Sequence, residues 1–234
     1  MRYNTSIVKK CQDYLRWKHK KQGLKGEEMS MKKEVMVDMT SGRIAPQILR
    51  FAMPVLLGLV FQRIYNFADS YIVGHFLGDN ALAAVSVAGV GMYLVFSLII
   101  GLTTGVTVVM SQYYGAKEED KVVKTFFSSI FIALGMTILV TVIGLLTTRP
   151  LLIVLQTPAE VLDAAVLYLR IICAGSVGTM LYNWISAVLR SLGNSVVPLI
   201  FLGISSLLNI VFDILFVAVI PMGVGGAAFA TVLA

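Results

Sequence analysis

Two carboxylates stand where this chain can least accommodate them. Asp69 and Asp213 are the only acids that fall deep inside long apolar runs. An ionisable group at membrane depth costs at least ~2.5–3.5 kcal/mol on insertion scales, so each marks a functional site by default. Their neighbours are polar in a helical pattern. Gln62, Tyr65, Asn66 and Asp69 fall on an arc of about 100° at ~3.6 residues per turn. Ser205, Asn209 and Asp213 are four apart and form a second polar stripe. Carboxylates joined by amide and hydroxyl oxygens suit a hard cation such as Na⁺. A buried carboxyl can instead take up and release a proton near neutral pH. A purely structural reading pairs these groups with each other or with Arg63, to hold helices together.

Such side chains need helices that bring them to one depth. From Ile44 onward the sequence is nearly all apolar, and it divides into five complete spans and the start of a sixth. The spans run roughly Ala45–Phe76, Ala81–Gln112, Lys124–Thr147, Ala159–Ser191 and Val196–Ile220, with the last from Val224 to the chain end. Each of the five exceeds the ~20 residues that cross a hydrocarbon core about 30 Å thick. The first is long enough to require tilt or bending, and Pro54, which lacks a backbone donor, supplies a place to bend. Asp69 lies seven residues before Phe76 and Asp213 seven before Ile220. At ~1.5 Å per residue both sit about 10 Å below the same membrane face. Thr231, on a span running the other way, and Tyr168, early in the fourth, reach the same level. Two carboxylates, an amide, a hydroxyl and a phenol (Asp69, Asp213, Asn209, Thr231 and Tyr168) are therefore expected at one level, able to bind a cation or to exchange a proton.

Other features carry less. Gly101 and Gly105 have the small-xxx-small spacing that permits close helix approach. Ser97, Thr103, Thr104, Thr107 and Ser111 are expected to bond back to their own helix, and Met92, Met110 and Met180 to pack or face lipid. There is no Gly-rich loop followed by Lys-Ser/Thr, no His pair at helix spacing and no Ser-His-Asp set, so the sequence predicts no enzyme.

Charge agrees with a membrane protein. Of 234 residues 57% are hydrophobic and 14% charged, against roughly 25% charged in soluble domains. Twelve of the nineteen Lys and Arg lie in Met1–Arg50. The net charge of +6 thus describes a basic tail, not a nucleic-acid-binding face. Residues 1–42 are expected to form a cytoplasmic tail, disordered or added by a start codon placed too early, with a true start near Met31. Lys and Arg alternate between connections as they would with the N-terminus inside, Arg170 being a mild exception. Residues 43–234 form the membrane region. The final span of about eleven residues is too short to cross, so the sequence predicts a fragment of a longer gene or a truncated chain.

Several stretches carry a specific resemblance. They are Arg50 to Pro54, Gln62 to Asp69, Ile72 to Gly78, Ala81 to Val85, Leu189 to Asn194, Leu208 to Asp213 and Gly225 to Thr231. From about Met39 to Ala234 the chain resembles the N-terminal lobe of the multidrug and toxic compound extrusion (MATE) family. The resemblance implies an all-α bundle, one six-helix lobe of a twelve-helix transporter around a central cavity. It implies a plasma-membrane antiporter that exports amphipathic or cationic compounds in exchange for Na⁺ or H⁺, with no other cofactor. Its partners would be lipids, those small molecules and the second lobe of the same protein. It implies a coupling site at Asp69, Asn209, Asp213 and Thr231, a bend at Pro54 and a cavity lined by Gln62, Tyr65, Asn66 and Asn183. Arg63 departs from the family's usual uncharged residue. The rival readings are a lipid-linked saccharide flippase of the same superfamily, which needs a cationic cavity, and a helix-bundle scaffold that transports nothing.

Overall fold

The computed structural model describes residues 43–234, so the tail assigned to residues 1–42 lies outside the described residues. Among the described residues the chain is helical, without strands. Helix α1 spans Ile44–Leu77, α2 Asp79–Gly115, α3 Glu119–Val154, α4 Ala159–Ala174, α5 Ser176–Ser191, α6 Val196–Asp213 and α7 Gly223–Leu233. A π-helical segment, Ile214–Val219, continues α6. Among the described residues four helices are long and apolar enough to cross a membrane, and the bent pair α4–α5 is long and apolar enough to make a fifth if taken as one span. The chain is a multi-pass membrane protein, as its composition implies.

The boundaries follow from local chemistry. Only Gly78 separates α1 from α2; its φ of 83° is one that residues with a β-carbon rarely adopt. The expected end of the third span at Thr147 is corrected: α3 runs through Pro150 to Val154. A proline inside a membrane helix removes one backbone bond, and neighbouring helices make that tolerable. The helix stops where Gln156 takes a positive φ of 55° and the Thr157 hydroxyl donates to the Leu152 carbonyl at 2.7 Å. Helix α1, in contrast, passes through Pro54 as one element.

The fourth span, expected to be continuous, is broken at Gly175, where α4 and α5 meet at 51°. The break is seated closely against α7. A β-carbon on Gly175 would sit 2.4 Å from both methyls of Val232. Beside the break, the hydroxyls of Thr141 in α3 and Ser176 share a hydrogen bond of 2.6 Å.

Helix α2 is the centre of the bundle, packing on α3, α4 and α5, whereas α1 packs chiefly on α6. The core gathers Ile99 and Met110 of α2, Leu152 of α3, Leu169 and Cys173 of α4 and Trp184 of α5. Trp184 donates its indole N–H to the Ser129 hydroxyl at 2.9 Å, which satisfies a polar group that burial would otherwise penalise. At Gly101 and Gly105, whose spacing permits close approach, nothing among the described residues lies within 4 Å of a β-carbon. Close approach occurs at Gly144, where the position would be 2.6 Å from the Cys173 sulfur. Met110 and Met180 are packed inside, and the hydroxyls of Ser97, Thr103, Thr104, Thr107 and Ser111 all donate to carbonyls of their own helix. Long apolar side chains such as Ile138, Leu146 and Val154 remain exposed, as lipid-facing residues must.

Candidate functional site

The deepest polar cluster forms where α1, α4, α6 and α7 meet. Asp69 is the polar member of the few residues that α1 buries, beside Gly58, Ile72 and Val73. From α6 come Asn209 and Asp213, one turn apart on the same stripe and 3% and 0% exposed. Asp213 is the last α-helical residue before the π segment. Widened turns of this kind occur often at functional sites. Tyr168 of α4 is buried against the group, and Thr231 of α7 completes it.

The hydrogen bonds fall into two kinds. On one side the cluster is satisfied. The Thr231 hydroxyl donates to the Ala227 carbonyl at 3.0 Å, and its oxygen is left facing the phenol of Tyr168. On the other side it is not. The carboxyls of Asp69 and Asp213 lie within hydrogen-bonding reach of one another. Two carboxylates have no hydrogen to share. Four buried oxygens therefore face no protein donor: Asp69 Oδ1, Asn209 Oδ1 and both Oδ1 and Oδ2 of Asp213. Most buried polar atoms in folded proteins are bonded, and each exception calls for an explanation such as an ion or a proton. An amide oxygen and two carboxyls converging without hydrogens are a set of hard donors for a small cation. They are equally a place where one proton, shared between two acids, removes the repulsion.

The remaining sequence-predicted residues are distributed differently. Tyr65 is half-buried and bonded through its side chain to Gln62. Gln62 and Asn66 are exposed on the open face of α1. The Asn183 amide donates within its own helix to the Thr179 carbonyl at 2.7 Å, and among the described residues no hydrogen bond joins it to the α1 row. Ser205 of the α6 stripe donates to the Ala234 carbonyl at 2.6 Å, away from the acids. Pairing of Arg63 with Asp69 is corrected: Arg63 is exposed and makes no ion pair among the described residues. Six residues apart on a helix, the two side chains point about 120° away from each other. Neither the Thr141–Ser176 bond nor the Val232–Gly175 seat is legible in the sequence, because single hydroxyls and valines in apolar runs carry no periodic signal.

The chain is similar to known proteins. The model of the MatE family matches residues 54–215. A probable multidrug resistance protein of Bacillus subtilis, YpnP, is 36% identical over 197 residues, covering 84% of this chain and 44% of that protein. Among solved structures, a MOP superfamily transporter from Pyrococcus furiosus superposes with a TM-score of 0.79 at 27% identity. It covers 84% of this chain and 43% of its own. The outward-facing conformation of a multidrug resistance MATE family transporter matches with a TM-score of 0.78, also at 27% identity, over 84% of this chain and 44% of the other. The chain thus spans about half the length of the curated relatives it matches.

Proposed function

The chain belongs to the MatE family, and on that premise we propose that it is the ion-coupling lobe of a cation-driven antiporter that exports amphipathic or cationic drugs. The observation that carries the proposal is the set of four buried, donor-less oxygens on Asp69, Asn209 and Asp213. A site that must release its ion is built to be incompletely satisfied when empty. Asp69, Asn209 and Asp213 would contribute the oxygens that hold Na⁺, or the two acids would hold a proton between them, with Thr231 and Tyr168 bordering the site. Ion and drug then compete through the shape of the bundle: neutralising the acids lets α1 and α6 close together, while withdrawing the ion restores their repulsion.

The names of the relatives support drug export, since YpnP is a probable multidrug resistance protein. The flippase alternative needs a cationic cavity, and the buried charges among the described residues are the two aspartates. A scaffold would gain nothing from leaving buried acceptors unpaired. The protein would act in the plasma membrane, with the N-terminus in the cytoplasm and a second six-helix lobe closing the cavity. In the full-length protein reconstituted into vesicles, dye efflux under separately imposed Na⁺ and H⁺ gradients tests the reading. One of the two gradients should drive export, and indifference to both would reject it.

A further inference from the structure

Helix α7 begins with two adjacent buried glycines whose surroundings differ. A β-carbon on Gly225 would meet the Leu167 and Ile171 side chains of α4 at 3.7 Å, an ordinary contact. A β-carbon on Gly226 would lie 2.8 Å from the backbone carbonyl oxygen of Phe216 and 2.9 Å from the Met222 β-carbon. A backbone oxygen cannot swing aside as the end of a side chain can. Phe216 belongs to the π-helical segment that begins directly after Asp213. Its carbonyl also accepts from the Met222 N–H at 2.8 Å, which ties the turn into α7 to the same segment. The stretch that follows Asp213 therefore touches α7 backbone to backbone, at Gly226. Five residues on, roughly 7.5 Å at ~1.5 Å per residue, the same helix carries Thr231, which faces Tyr168. The next residue, Val232, fills the space over Gly175. Helix α7 is thus registered at both ends, and close-packed interiors transmit a displacement at one point to the next.

We propose that Gly226 is a positioning residue of the coupling site: its missing side chain lets α7 lie against the π segment, and that contact sets where Thr231 stands relative to Asp69 and Asp213, and so the affinity for the coupling ion. This rests on the ion-coupling reading above. Ordinary contact begins at 3.4 Å, so Gly226→Ala forces the two backbones apart by about 0.6 Å, and a binding constellation needs its members held within about 0.5 Å. The titratable groups around Tyr168 and Thr231 are Asp69 and Tyr65 of α1 and Asp213 of α6. A shift of α7 therefore acts on a proton held by the acids as it does on Na⁺.

The test compares Gly226→Ala with Gly225→Ala in the full-length protein. Both replace glycine by alanine in one helical turn, so their effects on chain flexibility match, and they differ in the room at the β-carbon. Dye efflux from reconstituted vesicles gives the maximal rate and the half-saturating concentration of the driving ion. The thermal midpoint of the purified protein, titrated with NaCl against KCl, reports Na⁺ binding apart from transport. Gly226→Ala should raise the half-saturating concentration about tenfold, the lower end of the range for residues that orient ligands, with the maximal rate retained. Gly225→Ala should leave both at wild-type values. Equal shifts in the two variants, a fall in maximal rate with unchanged ion dependence, or wild-type behaviour of Gly226→Ala would each overturn the assignment. If Gly226→Ala does not accumulate in the membrane, Val232→Ala decides, because it loosens the other seat of α7 without a clash. It should also raise the half-saturating concentration, and no rise would overturn the assignment. A wild type indifferent to both Na⁺ and H⁺ would instead reject the coupling reading, and this inference with it.

Discussion

Val232 of α7 occupies the space in which Gly175, at the α4–α5 break, would carry a β-carbon. The contact joins the bend of one span to a residue adjacent to Thr231 in the polar cluster. Gly175→Ala must push Val232 aside, and overpacking of this kind costs about 1–3 kcal/mol. The thermal midpoint of the detergent-solubilised full-length protein should fall. Adding Val232→Ala should restore much of it, because the intruding methyls are gone. Additive losses in the double variant would show that Val232 is not what a methyl at position 175 meets.

Asp213→Asn is expected to abolish ion-driven efflux while leaving the amount of protein in the membrane unchanged. The amide keeps the shape of the side chain, removes the repulsion with Asp69 and takes away the charge that an ion would answer. Drug susceptibility of cells expressing the variant, beside an immunoblot of their membranes, decides it. Resistance equal to wild type would remove Asp213 from the mechanism.

Trp184 separates packing from hydrogen bonding. Trp184→Phe forfeits the bond to the Ser129 hydroxyl at 2.9 Å and should cost about 0.5–1.5 kcal/mol. Trp184→Ala empties the space beside Phe126 and should cost about 3–5 kcal/mol. Thermal midpoints should rank in that order, and a reversed order would mean that the indole is not a packing residue.

Cys173 is free and wholly enclosed, with its sulfur near Gly144. A variant in which it is the only cysteine should resist a water-soluble maleimide in native membranes and react after denaturation in SDS. Gly144→Ala, which thrusts a methyl against that sulfur, should destabilise the protein, with partial rescue by Cys173→Ala.

Much of this was legible in the residues. Apolar runs longer than a bilayer needs locate the spans, because lipid imposes length directly. Counting from the span ends brought Asp69, Asp213, Tyr168 and Thr231 to one level, where the structure gathers them with Asn209. Features decided by a neighbour were not legible. The close seat at Gly175 depends on Val232, more than fifty positions later in the chain. The spacing of Gly101 and Gly105 permits a contact that the described residues show at Gly144 instead, because a small residue says how near another helix can come but not whether one is there. Pro150 reads as a helix end in water, yet in an apolar environment the alternative to helix is an unbonded backbone. The π segment after Asp213 has no local signal of its own.

The pairing of α1 with α6, rather than with the bundle around α2, bears on how the protein is made. Ribosomes deliver segments in order, so the leading span must wait in the bilayer, or in the insertion machinery, while four further stretches of polypeptide emerge. Throughout that interval its aspartate lacks the neighbour it will eventually face. Biogenesis thus has its own bottleneck: a nascent chain arrested before Val196 should be extracted and degraded more readily than one arrested after Asp213.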